Sequence, residues 1–185
     1  MKNEKYPHLK ETRNTSVQVF NGIVVNLFVD TVTLADGTVS NRERMEHNGA
    51  VAILPVTADG DVILVRQWRN ATESTMLEIP AGGLKRGEDP KDCARRELQE
   101  EIGKYPKNLE FLTAMYLAPG YSSEKLYLFK ATDMVDRALP MDADERLDIV
   151  TMTRDEFMSA VLSGEIIDGK TLAAALFMGI SKKLL

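Results

Sequence analysis

The sequence predicts a layered α/β protein in which helices cover both faces of a mixed sheet. Three observations predict it. Short runs rich in β-branched residues, broken by turn residues, fill the chain from Ser16 to Trp68. A helix with clear start and stop signals follows at Asp89–Gly103, and two helical patterns close the chain after a last strand at Leu147–Met152.

Each element has its own signal. "SVQVF", "IVVNLFVDTVTL" and "TVSNRER" read as strands, the last two joined by a turn at Asp36-Gly37. "GAVAILPV" and "VILVRQW" read as a hairpin closed by Asp59-Gly60, and their nearly unbroken apolar runs predict burial on both faces. By alternation with Arg69, Trp68 is expected to face the core. Pro80, Gly82 and Gly83 predict a loop. Asp89 can cap the next helix, Pro90 suits its first position, and Gly103 suits its end. Strands follow at "LEFLTAMYL" and "EKLYLFKAT", separated by "APGYSS". Thr153 and Glu156 form a capping box for "RDEFMSAVLS", which Gly164 stops, and "KTLAAALFMGISKKLL" makes a final helix.

Composition narrows the function. With 185 residues, a 44% hydrophobic fraction and mixed charge, the chain can bury a real core. A net charge of −5 without any basic run argues against nucleic acid as a partner. The single Cys93 rules out an internal disulfide and suits a reducing compartment. Neither a signal core nor a membrane-length apolar run is visible, so the cytoplasm is the expected location.

The crowded acids of the first helix carry the chemistry. At about 100° per residue, Glu97, Glu100 and Glu101 fall in an arc of roughly 100°, beside the core-facing Ala94, Leu98 and Ile102. An ordinary acidic helix is a solvated face with pairs such as Arg96–Glu100. Here paired glycines stand just ahead of the helix, where they let backbone approach a ligand closely. Three adjacent carboxylates offer the hard oxygen ligands that a divalent cation such as Mg²⁺ requires.

These residues resemble the Nudix hydrolase signature: Gly82, Glu88, Arg96, Glu97, Leu98, Glu100, Glu101 and Gly103 all fall in its register. The one departure is Lys104, where the signature closes on an aliphatic residue. The resemblance implies a Nudix αβα sandwich at 49–185 and an N-terminal strand appendage at 1–48, through which two subunits pair as a homodimer. It also implies hydrolysis of a nucleoside diphosphate linked to another moiety, with Mg²⁺, for which Mn²⁺ can substitute. Glu97 and Glu101 would then ligate the metal, Glu100 would ligate it or hold its water, and the Ala81 carbonyl would complete the site. Arg96 would orient the carboxylates, and Glu88 would tie the loop to the helix.

Outside that box, "LAPGYSSE", "RQWRN", "LEIPAGGL" and "SNRERMEHNGAVAIL" are similar to the ADP-ribose pyrophosphatase branch of the family. That likeness implies substrate contacts at Arg42, Arg69, Glu78, Pro119 and Gly120, the arginines holding phosphate oxygens. It further implies a catalytic base before a late strand, which aligns with Glu145, while Asp144 and Glu124 stand as alternatives. GDP-mannose and other nucleotide sugars remain open as substrates, and no residue among Phe20, Phe28 or a partner's side chains is singled out to stack a base. A non-catalytic nucleotide-sugar-binding regulator is the competing class. Such modules lose signature carboxylates, and this chain keeps them all.

Overall fold

A computed structural model describes residues 5–179. Two compact units emerge. One comprises the chain up to His47 together with Tyr116–Lys125; the other comprises Asn48–Met115 and the chain from Leu126 onward.

The first unit is a three-stranded antiparallel meander of β1 (Thr12–Asn21), β2 (Asn26–Thr33) and β3 (Val39–Glu46). Gly37 turns β2 into β3 with φ +87°, a backbone region that glycine enters without steric cost. Every residue of β1 is exposed, and two irregularities in its register mark it as a bulged edge strand. The segment after Tyr116 joins this unit by backbone: Met45 N–H donates to Tyr121 O at 2.7 Å, and Ser123 N–H to Met45 O at 2.9 Å.

The second unit carries two further sheets. One has the order β7 (Ala81–Gly83), β4 (Ala50–Pro55), β9 (Lys125–Asp136), β8 (Lys104–Tyr116). It is mixed, since β4 runs parallel to β9 and antiparallel to β7. The other has β5 (Val62–Arg69) between β10 (Leu147–Met152) and β6 (Ser74–Glu78), all antiparallel.

Alternation along β4 builds two cores. Ala50, Ala52 and Leu54 face a cluster shared with Phe157 and Ala160 of α2 (Arg154–Ser163) and with Ala174 and Ala175 of α3 (Gly169–Gly179). Val51 and Ile53 face the opposite cluster, with Ala94, Leu98 and Ile102 at α1 (Pro90–Glu101). Helices thus lie on both sides of the strands, the αβα arrangement expected from the sequence. Asp89 caps α1 through Lys91 N–H at 2.8 Å, and Thr153 and Glu156 form the reciprocal capping box of α2.

Several expectations are corrected. The 49–68 segment does turn at Gly60, with Thr57 N–H donating to Asp61 O at 2.9 Å, but β4 and β5 part into different sheets. Both edges of β4 are taken by β7 and β9, which leaves β5 to pair with β6 and β10. The segment after Pro80 is a three-residue strand, not a loop, and Ser74–Glu78 forms a strand that no sequence pattern announces. Trp68 is 57% exposed. It does oppose Arg69 across the strand, but β5 runs beyond the packed layer there, beside Arg66 and Arg146. The part of the last predicted helix beyond Gly179 lies outside the described residues. Among the described residues, no helix is long and apolar enough to cross a membrane.

Gly164 ends α2 at φ +79°, and an added Cβ would meet nothing within 4 Å. Gly164→Ala therefore should cost about 1 kcal/mol, from backbone strain alone, and Gly164→Asn clearly less. Urea unfolding curves measure both; an unchanged midpoint for alanine would contradict the left-handed cap.

Candidate active site

The site grows from α1. Its buried stripe of Cys93, Ala94 and Leu98 faces the core, and this rotation carries Glu97 and Glu101 inward as well. Glu101 is only 2% exposed, and its Oε2 has no hydrogen-bond partner, while Oε1 accepts from Ala81 N–H at 3.4 Å. Ala81 thus meets the helix through its amide as it pairs with Ala52 of β4.

Gly82 explains its own place in the sequence. A Cβ built there would lie 2.0 Å from Cδ of Glu97, so the carboxylate occupies the space that any other residue would fill. Arg96 then gathers the acids. It donates to Glu88 from Nε at 3.0 Å and Nη2 at 3.1 Å, to Glu97 and Glu100 from Nη1 at 2.6 and 2.8 Å, and to Gly83 O at 3.2 Å. Arg96 holds the Glu88 carboxyl down at about 2, against the opposing effect of burial, with the Lys85 amide adding to the pull. The Cys93 thiol below it is pushed up to about 12 by burial, which leaves it unreactive at neutral pH.

The deeper acids move the other way. Burial raises Glu97 to about 7, with Glu100 and Glu145 adding repulsion against the pull of Arg96. Burial, Glu97 and Glu145 raise Glu101 to about 8. Glu145 itself is raised by burial, Asp142 and Glu100, with Arg69 opposing. The four carboxylates therefore share one electrostatic environment, whereas Asp144 is exposed and Glu124 belongs to the other unit. Gln99, also buried on α1, fixes the approach to the Glu145 segment: its side chain donates to Arg137 O at 3.0 Å, and its backbone carbonyl accepts from Leu139 N–H at 3.0 Å.

Arg69 and Glu78 stand together. Nε and Nη2 of Arg69 reach the two Glu78 oxygens at 2.7 and 2.6 Å. Glu78 is 1% exposed, and Lys170 of α3 also donates to its Oε2. Burial alone would raise the Glu78 carboxyl, but Arg69 and Lys170 outweigh it and keep the group ionised. Lys170 and Asp168 escape sequence reasoning, since a polar pair ahead of an apolar helix reads as capping. A usable signal exists, however: a lysine in a first helical turn opposes the helix dipole and calls for a carboxylate partner.

Arg42, Pro119 and Gly120 come together in the first unit, at a cleft of about 530 Å³. Arg42 is held there by Glu11, from Nη2 at 2.5 Å and Nε at 3.0 Å. Beneath it, the buried Asp30 accepts from Ser16, Arg44 and Arg13. Lys104, the departure from the signature, opens β8 and pairs with Asp136 at 2.6 Å.

The α1 donor set suits a divalent cation. It offers hard oxygen ligands, an orphaned buried oxygen on Glu101, and carboxyls that repel one another when ionised. Among the described residues, no three His, Cys, Asp or Glu side chains are already gathered closely enough to hold one. Arg96 donates from Nη1 to both Glu97 and Glu100, so a cation there must compete with its guanidinium for them.

A carboxylate cluster gathered by an arginine fork on the α1 layer of an αβα fold suits a hydrolase. The chain belongs to the Nudix hydrolase family: the NUDIX domain matches residues 46–174. It is 38% identical to the ADP-ribose pyrophosphatase of Bacillus subtilis (strain 168), over 95% of this chain and 96% of that one. It is 37% identical to the methanol dehydrogenase activator of Bacillus methanolicus, over 90% and 91%. A crystal structure of an ADP compounds hydrolase superposes with a TM-score of 0.80 at 28% identity, covering 92% of each chain.

Two outcomes test this geometry. Gly82→Ala should fold, because the atoms it displaces are the flexible end of Glu97, yet bind Mn²⁺ about 10–100-fold more weakly in calorimetric titration. Unchanged affinity would remove Glu97 as a candidate cation ligand. The second concerns pH. The folded pKa values of Glu97 and Glu101 exceed the ordinary 4.5, so the metal-free fold binds extra protons. The stability these two groups contribute is fully present below pH 4.5 and is lost as pH rises through 7 to 8. Melting in EDTA should therefore show a falling Tm from about pH 5 to about pH 8.5. Glu101→Gln should flatten that fall, and an equal slope in the variant would rule out Glu101 as its source.

Proposed function

We propose that this enzyme hydrolyses the pyrophosphate of ADP-ribose to AMP and ribose 5-phosphate, with Mg²⁺ as cofactor and Mn²⁺ as a substitute, and that it works as a cytoplasmic homodimer. The observation that carries the reading is the buried, unpartnered oxygen of Glu101, set among Glu97, Glu100 and Glu145 in the electrostatic reach of Arg69. Hydrolysis of nucleoside diphosphate sugars is the broader chemistry that the similarities support, and the names of the Bacillus subtilis relative and the superposed structure favour the ADP-ribose form. The Bacillus methanolicus relative is named for activating another enzyme. A purely regulatory module would have no need of every signature carboxylate, and this chain keeps them all.

Bound by Glu97, Glu100 and Glu101, a divalent cation would offset the charge of the pyrophosphate and ease deprotonation of water. The chain's own groups do the rest. Arg96 keeps Glu97 and Glu100 aimed, and Glu88 holds Arg96 in place. Arg69 commits Nε and Nη2 to Glu78 and keeps Nη1 for a phosphate oxygen. Glu145 accepts the proton of the attacking water, a task suited by its raised pKa. Arg42, Pro119 and Gly120, which line one cleft of the first unit, are assigned to substrate binding on the resemblance alone. The apolar Val17, Val19 and Phe20 on the exposed edge strand β1 support pairing with a second copy.

A panel of ADP-ribose, GDP-mannose, UDP-glucose, NADH and diadenosine polyphosphates, compared by kcat/KM, should be led by ADP-ribose. A tenfold preference for GDP-mannose would overturn that assignment and leave the hydrolase class. Glu101→Gln should lose nearly all turnover, and Glu145→Gln at least about tenfold with cation affinity retained. Light scattering at micromolar concentration should give a dimer, and an active monomer would refute that part.

A further inference from the structure

Lys170 is a buried lysine that neither the signature nor its neighbours in sequence explain. It is 8% exposed, in the first turn of α3, where a positive charge opposes the helix dipole. Its ammonium lies between two carboxylates, Glu78 Oε2 and Asp168 Oδ1, the latter at 3.0 Å. Asp168 also caps α3, accepting from Thr171 N–H at 3.0 Å and from the Thr171 hydroxyl at 2.6 Å. The fully buried Thr171 in turn accepts from Ile79 N–H at 3.0 Å, one residue beyond Glu78. The first turn of α3 is thus fastened to the end of β6 by backbone and by charge.

We propose that Lys170, itself secured by Asp168, is a positioning residue that fixes the plane of Glu78 and through it aims the Arg69 guanidinium at the substrate's phosphates. This rests on reading Arg69 as the phosphate contact. The physical reason is geometric. Glu78 presents both oxygens to Arg69 in a fork, and a fork holds its direction only if the carboxylate cannot rotate. Lys170 reaches the same carboxylate from another element, so Glu78 is gripped by two cations and stays in one orientation. Charges alternate along the row Asp168, Lys170, Glu78, Arg69, so each buried charge has an opposite neighbour and none is stranded. Arg69 is the outermost member, its side chain 39% exposed against 1% for that of Glu78.

Two readouts on the full chain test this. The first is the Arg69 Nε–H signal in nitrogen-15 correlation spectra, identified by its loss in Arg69→Lys. It should be sharp and protected from exchange in the wild type and in Lys170→Arg, and broadened in Lys170→Met. The second is kinetic: Lys170→Met should raise KM for ADP-ribose about tenfold while kcat stays within about threefold. Lys170→Arg should restore KM, and in an Arg69→Ala background Lys170→Met should change it no further. If Lys170→Met does not fold, Asp168→Asn, which frees Lys170 on one side, should show the same changes in weaker form. An unaltered Arg69 signal overturns the proposal whatever the kinetics. A broadened signal with Arg69→Ala leaving KM unchanged refutes the reading of Arg69, and leaves Lys170 a structural residue only.

Discussion

Arg96 is the group on which the second unit's site depends. Placing Glu97 and Glu101 on the inward side of a helix costs desolvation and mutual repulsion, and both carboxyls are raised as a result. One guanidinium, with its donors in a rigid fork, binds Glu88, Glu97, Glu100 and one backbone carbonyl. A lysine could not do the same, since its ammonium is a point charge with no planar fork. The acids hold Arg96 well above the usual arginine range, led by Glu88, so its charge is permanent. The helix therefore forms with its acids in place and leaves Oε2 of Glu101 without a partner.

Two close approaches turn this helix into a site. Gly82 lets β7 pass against the Glu97 carboxylate, and Ala81 meets Glu101 through its amide. Both belong to a strand of only three residues, paired to β4 in the buried centre of the fold. The strand that delivers these contacts is thus set by the core, and the carboxylates inherit its rigidity. From the other side, the first turn of α3 holds the end of β6, where Glu78 carries Arg69. Helix, strand and strand end are each anchored by hydrophobic packing, which is non-directional, and then aimed by hydrogen bonds, which are directional.

Much was legible in the sequence where the physics is local. Helix α1 with its Asp89 cap, the capping box of α2, the Gly164 stop and the carboxylate arc all depend on residues within one or two turns of each other. Spacing along one helix is geometry that a sequence carries directly, so the grouping of Arg96, Glu97, Glu100 and Glu101 follows from their positions in the chain alone.

Partners distant in the chain were decided only by the tertiary structure. Nothing in "GAVAILPV" and "VILVRQW" says that their shared turn leads into two sheets, because strand pairing is a competition for edges among segments far apart. Trp68 shows the same limit: alternation gave its face, but whether that face is covered depends on where the packed layer stops. Lys170 and Glu78 lie 92 positions apart and meet because α3 packs on the core beside β6. Sequence alone determined which groups carry charge and which helix presents them, since both follow from residue type and a fixed helical period. Only folding decided which of those charges are buried against one another, since burial is a property of the whole chain's packing.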